Sequence, residues 1–327
     1  MTAGRKRVEE FLFPPAADLW LGLLRVGLGV QLLLYCWSLG ADWKSFYRAA
    51  GESVISRELP EAILSAQSPF IPRVGWLVDA GARLGLGEDT VLTVAWVFLL
   101  ASGGLLLVGL LSRMAAIAAW FLHLCLIKSG NLVTYGMDNF TTIGLFYLML
   151  GPLPDRYALD HRIRGRPLKD RHLVGFCQRA LQLHLSVAYF FSGLAKALGV
   201  GWWNGTSIWR ALTCPPYDVL PTQVLLGLVP ILPLVGATVC ILELGYPFFI
   251  WPEKTRSLWL MATLGMHIAI GLTMGLYLFA LIMVILNVAA FGSGLVSVPL
   301  TRVWQLVANR TTAQRPTRFA PPQPGHR

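Results

Sequence analysis

Long runs of apolar residues alternate along the chain with shorter polar segments. A helix needs about 20 mainly apolar residues to cross the hydrocarbon core of a bilayer. Eight runs approach or exceed this length: 17–39, 90–111, 114–129, 138–153, 173–198, 223–251, 257–275 and 276–293. The third and fourth are short, which is typical of tilted or half-buried helices. The pattern predicts an all-α fold, a polytopic integral membrane helical bundle of about eight transmembrane helices.

The pattern divides the chain into three parts. Residues 1–16 form an N-terminal segment, residues 17–293 the transmembrane domain, and residues 294–327 a polar, proline-rich tail predicted to be largely disordered. Two long segments between the runs, 40–89 and 199–222, are rich in aromatic residues and proline. This composition predicts short amphipathic helices at the membrane interface. We expect them to form a lid or vestibule over one end of the bundle.

Composition and charge agree with a membrane location. Hydrophobic residues make up 55% of the chain and charged residues 13%, so one soluble core cannot cover the apolar surface and the lipid bilayer must. The formal net charge is +10, but no nucleic-acid-binding motif accompanies it. With a cytoplasmic N-terminus, more than half of the 27 Lys and Arg residues fall on the cytoplasmic side. The sequence therefore predicts a plasma-membrane protein with both termini in the cytoplasm.

Ionisable residues inside the apolar runs are candidates for function, because a charge at membrane depth needs a partner or water. They are Arg25, His123, His184, Lys196, Glu243 and His267. At a rise of about 1.5 Å per residue, Arg25 and Glu243 lie at similar heights, which predicts a structural ion pair. The first two histidines are expected to form hydrogen bonds between helices. No histidine pair has the spacing of a metal site, so no metal is predicted.

Lys196 lies near the end of the fifth apolar run, in "YFFSGLAKALGVGWW", just before an aromatic segment. A lysine shielded from water gives up its proton more easily and can act as a base. A lysine at the lipid boundary would instead extend its amine to the headgroups. The residues alone leave these two interpretations equally open.

Three segments carry a resemblance to a known family: "SGNLVTYGMDNFTTIGLFYLMLGPLPDRYALD", "YFFSGLAKALGVGWWNGTSIW" and "MHIAIGLTMGLYLF". From Arg25 to about residue 293, the chain resembles the horizontally transferred transmembrane (HTTM) domain family, whose characterised relative is the vitamin K-dependent gamma-carboxylase. The resemblance implies an active face outside the cytoplasm. Lys196 takes the position of the carboxylase's base lysine, and His267 matches a histidine in a later membrane helix.

If the resemblance extends to activity, it implies gamma-carboxylase-like lyase or ligase chemistry with a lipid-soluble cosubstrate such as a reduced quinone. The carboxylase has two adjacent lysines where this chain has Ala195 and Lys196, and this chain lacks the large extramembrane domain that holds a peptide substrate. Carboxylation of protein glutamate is therefore not implied.

A reaction site of this kind predicts a mainly apolar cavity in the outer half of the bundle. Lys196 would lie in its wall and His267 deeper. The remaining candidate pocket residues are Trp202, Trp203, Asp138, Asn139 and Tyr189. A tryptophan would close the mouth of the cavity.

Two other classes of protein are compatible with the sequence. A non-catalytic membrane protein could act in the maturation, immunity or export of a partner protein, and its polar residues would then only join helices. A transporter would show an inverted repeat and broken helices at the midplane, and no clear internal repeat is found. A cavity that converges on Lys196 distinguishes the enzyme from the non-catalytic protein.

Overall fold

A computed structural model describes residues 3–49, 56–130, 134–164 and 170–294 of the protein. Within these ranges the chain is helical and contains no β-strand. The α-helices are α1 (Ala3–Leu12), α2 (Leu19–Leu39), α3 (Trp43–Tyr47), α4 (Glu58–Gln67), α5 (Val74–Ala82), α6 (Glu88–Val108), α7 (Ser112–Ser129), α8 (Gly136–Leu150), α9 (Leu159–Arg164), α10 (Arg171–Ala197), α11 (Val200–Trp203), α12 (Thr206–Thr213), α13 (Thr222–Leu228), α14 (Leu232–Phe249), α15 (Glu253–Met274) and α16 (Tyr277–Phe291). A 3-10 helix, Val229–Ile231, joins α13 to α14. The all-α fold class is confirmed.

Among the described residues, four helical stretches are long and apolar enough to cross a membrane: α2, α6, α15 and the stretch Thr222–Phe249, which comprises α13, the 3-10 helix and α14. The shorter helix α16 is also apolar. Every predicted apolar run corresponds to a helix or, for 223–251, to this composite stretch. The prediction of apolar helices long enough to span a membrane is thus confirmed for the four stretches that meet this criterion.

The long helices pack side by side around α2, which contacts α6, α8 and α16. A second group forms where α14 packs against α10, and α15 packs against α16. Close approach of α2 and α6 depends on Gly29, since a Cβ there would lie 2.7 Å from the amide nitrogen of Leu107. We call the end of the bundle where α2 begins the Arg25 end, and the end where α10 finishes the Lys196 end.

Arg25 is fully buried and pairs with Asp155, in the segment after α8. Its Nε lies 2.6 Å from Asp155 Oδ2, and its Nη1 donates to the carbonyl oxygens of Leu106 and Leu107 at the end of α6. The predicted ion pair between Arg25 and Glu243 is therefore wrong. Counting residues estimates height along a helix, but it does not say which helices are neighbours. Here α2 packs against α6, α8 and α16, whereas Glu243 lies on α14, which packs against α10.

Two histidines in the apolar helices join neighbouring helices by hydrogen bonds, as predicted. His123 Nδ1 of α7 lies 2.9 Å from the hydroxyl of Thr142 on α8. His184 Nδ1 of α10 lies 3.1 Å from the hydroxyl of Tyr147, also on α8. These contacts connect α8 to the helices on both sides.

The two long segments between apolar runs contain short helices, as the aromatic and proline content predicted. Helices α3, α4 and α5 lie in the first segment, and α11 and α12 in the second. The first segment is held at the Lys196 end by Arg57, which pairs with Glu61 and with Glu88 at the start of α6. Glu61 also accepts a hydrogen bond from Ser129 at the end of α7. The predicted tail, 294–327, lies outside the described residues except for Gly294.

Candidate functional site

A cavity of about 910 Å³ lies between α10, α14 and α15, at the Lys196 end of the bundle. Residues from α12, α13 and the 3-10 helix also line it, and its wall is mainly aliphatic. The polar side chains with hydrogen-bonding or charged groups in this wall include Tyr189, Ser192, Lys196, Glu243 and His267. A large apolar space with a few converging polar groups is the usual form of a small-molecule site.

Lys196 reaches the cavity wall from the last turn of α10. Its Nζ donates to Glu243 Oε2 at 2.6 Å and to the hydroxyl of Ser192, one turn earlier on the same helix, at 2.6 Å. The lysine side chain is 22% exposed and the glutamate 8%, so the pair is largely removed from water. Nζ also lies 5.4 Å from the ring centre of Trp202, within the range of a cation–π contact.

Glycine allows α10 and α14 to approach closely enough for this ion pair. A Cβ at Gly193 would lie 2.6 Å from the amide nitrogen of Leu244 and 2.9 Å from the carbonyl carbon of Glu243. These are backbone atoms, which cannot move aside as a flexible side chain can. Gly193 therefore determines the helix spacing that brings Lys196 and Glu243 together.

A chain of hydrogen bonds lies beside the cavity, on the side of the ion pair that is nearer the Arg25 end of the bundle. Asn287 Nδ2 donates to the carbonyl oxygen of Met283 at 2.8 Å, and because a carbonyl oxygen can only accept, this contact determines the orientation of the amide. The other Nδ2 proton goes to the Tyr189 hydroxyl at 2.8 Å, and Asn287 Oδ1 accepts from Tyr246 at 2.7 Å. Tyr189 is then left with its own proton to donate to His267 Nε2, 2.6 Å away.

The direction of these hydrogen bonds determines the tautomer of His267. Since Nε2 accepts from Tyr189, a neutral ring carries its proton on Nδ1. Nδ1 is buried and has no hydrogen-bond partner among the described residues. The network therefore supplies a polar but uncharged region of the wall, whereas both formal charges of the site belong to Lys196 and Glu243.

The structure brings together four of the predicted site residues and excludes three. Lys196, His267, Tyr189 and Trp202 all line the cavity. Trp203, Asp138 and Asn139 are not among its lining residues, so their predicted place in the pocket is wrong.

Each exclusion has a local cause. Trp203 is 48% exposed, and its ring N–H donates to the carbonyl oxygen of Ala197. The Asp138 carboxylate accepts from the amide of Tyr135, at the start of α8, and Asn139 is exposed. The first turn of α8 thus uses its acid to cap the helix.

Sequence reasoning missed two members of the site. The sequence-based prediction pairs Glu243 with Arg25 and does not include Ser192. Ser192 could have been found, because it precedes Lys196 by four residues and therefore lies on the same face of α10. Among the described residues, no group of three or more His, Cys, Asp or Glu side chains is placed to hold a metal ion.

Comparisons of the chain with family models, with curated proteins and with solved structures gave no match. The resemblance to the HTTM domain family accordingly stays a prediction.

Proposed function

We propose that the protein is a membrane enzyme that binds a lipid-soluble cosubstrate, such as a reduced quinone, in the cavity and moves a proton with the Lys196–Glu243 pair. The observation that carries the proposal is this ion pair in the wall of a mainly apolar cavity. Buried ion pairs contribute little to stability, because desolvation offsets their attraction. A function in the cavity accounts for a charged pair at this position better than stability does.

The pair suits a ligand with a neutral, hydrogen-bonding head. A quinol hydroxyl can donate to the carboxylate of Glu243 while its oxygen accepts from Lys196 Nζ. Lysine becomes a base when its proton passes to Glu243, which converts the ion pair into a neutral amine and a neutral acid. Ser192 and Trp202 hold the amine in place from two sides.

The proposed topology has eight membrane-spanning helices: α2, α6, α7, α8, α10, the stretch Thr222–Phe249, α15 and α16. The Arg25 end faces the cytoplasm, and the cavity lies in the outer half of the plasma membrane. Helix α1 and the end of α16 lie at the same end of the bundle, where Phe11 and Phe291 both contact Trp251. Exposed basic side chains at this end, among them Lys6 and Arg162, support the orientation.

Thiol labelling tests the orientation. Cys214 is free and exposed, so it is expected to react with a membrane-impermeant maleimide added to intact cells. In a Cys214→Ser background, Glu58→Cys on α4 is expected to react in the same way, whereas Arg162→Cys on α9 is expected to react only after the cells are opened. The opposite pattern would invert the topology and place the cavity in the inner half of the membrane.

Quinol binding tests the site. Decylubiquinol is expected to bind the full chain in phosphatidylcholine nanodiscs, and Lys196→Met and Glu243→Gln are each expected to weaken binding by about tenfold or more, which is about 1.4 kcal/mol. Lys128→Met is the matched control, because this lysine lies in the last turn of α7, at the same end of the bundle, and does not line the cavity. Equal affinity of the folded wild type and all three variants would contradict the proposal and favour a non-catalytic role.

A further inference from the structure

Helices α14 and α15 contact each other close to the short turn that joins them. Trp259 Nε1 donates to the carbonyl oxygen of Leu242 at 3.1 Å. The Trp259 ring stacks on Phe249, with ring centres 4.5 Å apart, and also covers Gly245. In the described part of the chain, the hydrogen bonds and ring contacts that join α14 to α15 lie at Trp259 or closer to the turn between the two helices.

On the side of Trp259 that is nearer the Lys196 end, the cavity lies between α14 and α15. Val235 and Thr238 line it from α14, and Gly265 and Ala269 line it from α15. All four residues are exposed. A Cβ built on Gly265 meets no atom within 4 Å, so the space beside this part of α15 is open. The cavity therefore reaches the surface of the protein through the gap between α14 and α15.

This gap opens among apolar side chains. Leu234 on α14 is 69% exposed and Leu272 on α15 is 63% exposed. Both helices also belong to the stretches that are long and apolar enough to cross a membrane. In the proposed topology the opening therefore faces lipid chains.

Resting on the proposed function, we infer that the gap between α14 and α15 is a lateral portal through which a neutral, single-chain lipid enters from the bilayer. Its head reaches Lys196 and Glu243, and its chain lies between Thr238 and Gly265. The ion pair has no net charge, so it offers one donor and one acceptor to a neutral head. An anionic head would meet the Glu243 carboxylate, and a cationic head would meet the Lys196 ammonium.

A photoreactive fatty alcohol tests the portal. The probe is a long-chain primary alcohol with a diazirine near the end of its chain, added to the full-length protein in phosphatidylcholine nanodiscs and crosslinked by light after timed mixing. Peptide mass spectrometry is expected to find the label at cavity-lining positions around Thr238 and Gly265. In Gly265→Trp the initial rate of this labelling is expected to fall by about tenfold or more, corresponding to about 1.4 kcal/mol in the entry barrier.

Ile268→Trp is the matched control, since Ile268 is an exposed residue of α15 that does not line the cavity. It is expected to label the cavity at the wild-type rate. Thr238→Trp narrows the gap from the α14 side. This variant tests the portal if Gly265→Trp does not fold. Labelling of the cavity at the wild-type rate in every folded variant with a tryptophan in the gap would overturn the portal.

The same probe separates the portal from the proposed chemistry. Lys196→Met leaves the gap between α14 and α15 open, so the cavity is expected to be labelled at the wild-type initial rate, while the bound alcohol is lost faster on dilution. A variant that retains the alcohol like the wild type would contradict the role of Lys196 and leave the portal standing. A wild-type cavity that takes up no label would overturn the portal, whatever the quinol measurements show.

Discussion

Replacement of Arg25 by methionine is expected to lower the free energy of unfolding by about 3–5 kcal/mol, because it leaves the Asp155 carboxylate buried without its counter-charge. Both partners are almost fully buried, at 1% and 0% exposure. The substitution also removes the donors to the carbonyl oxygens of Leu106 and Leu107. Unfolding of the detergent-solubilised protein by increasing fractions of sodium dodecyl sulfate, followed by circular dichroism, gives the measurement.

Lys44→Met is the control for this substitution. Lys44 pairs with Asp89 at 3.7 Å and both side chains are about half exposed, at 45% and 49%, so the loss is expected to stay within about 1 kcal/mol. The double variant Arg25→Met with Asp155→Leu removes both buried charges and is expected to recover much of the stability lost in Arg25→Met alone. An Arg25→Met protein as stable as the wild type would show that the buried ion pair is not what holds α2 to the segment after α8.

Replacement of Gly193 by alanine is expected to destabilise the protein by about 1–3 kcal/mol, because the added methyl group collides with the backbone of α14. The helices must move apart by a fraction of an ångström or more, which also weakens the contact between Lys196 and Glu243. Decylubiquinol binding is therefore expected to fall together with stability. The same detergent titration and the binding assay in nanodiscs measure the two effects.

Gly265→Ala is the control for Gly193→Ala, and its expected effect on stability has the opposite sign. Gly265 lies within α15 and an added Cβ there would meet no atom within 4 Å, so alanine is expected to stabilise the helix by about 0.5–1 kcal/mol. Equal effects of the two substitutions would mean that general helix propensity, and not the spacing of α10 and α14, determines the result. That outcome would contradict the role assigned to Gly193.

Much of the fold could be predicted from the sequence, because apolar length is a local property. The helices of the bundle coincide with the apolar runs to within a few residues, and the aromatic segments 40–89 and 199–222 contain the expected short helices. Lys196 and His267 were placed in one cavity from a resemblance and from their positions at the same end of the bundle. The structure brings both to that cavity, together with Tyr189 and Trp202.

The pairing of buried charges could not be predicted, because it depends on which helices are neighbours. Arg25 and Glu243 are the two most conspicuous opposite charges in the apolar runs, yet each has a different partner. Asp155 is not among the predicted site residues, because it lies just beyond the apolar run 138–153. Asp138 is predicted to lie in the pocket, but its carboxylate caps α8 instead.

Asp155 follows Arg25 by 130 residues, and this separation matters while the protein is being synthesised. A chain that grows from its N-terminus carries Arg25 without its carboxylate until the segment after α8 has left the ribosome. Arg25 lies about 9 Å from the start of α2, so in the proposed topology its long side chain can extend to the headgroups in the meantime. A depth of α2 that depends on the ion pair with Asp155 is therefore reached only after the three apolar helices α6, α7 and α8 have been made.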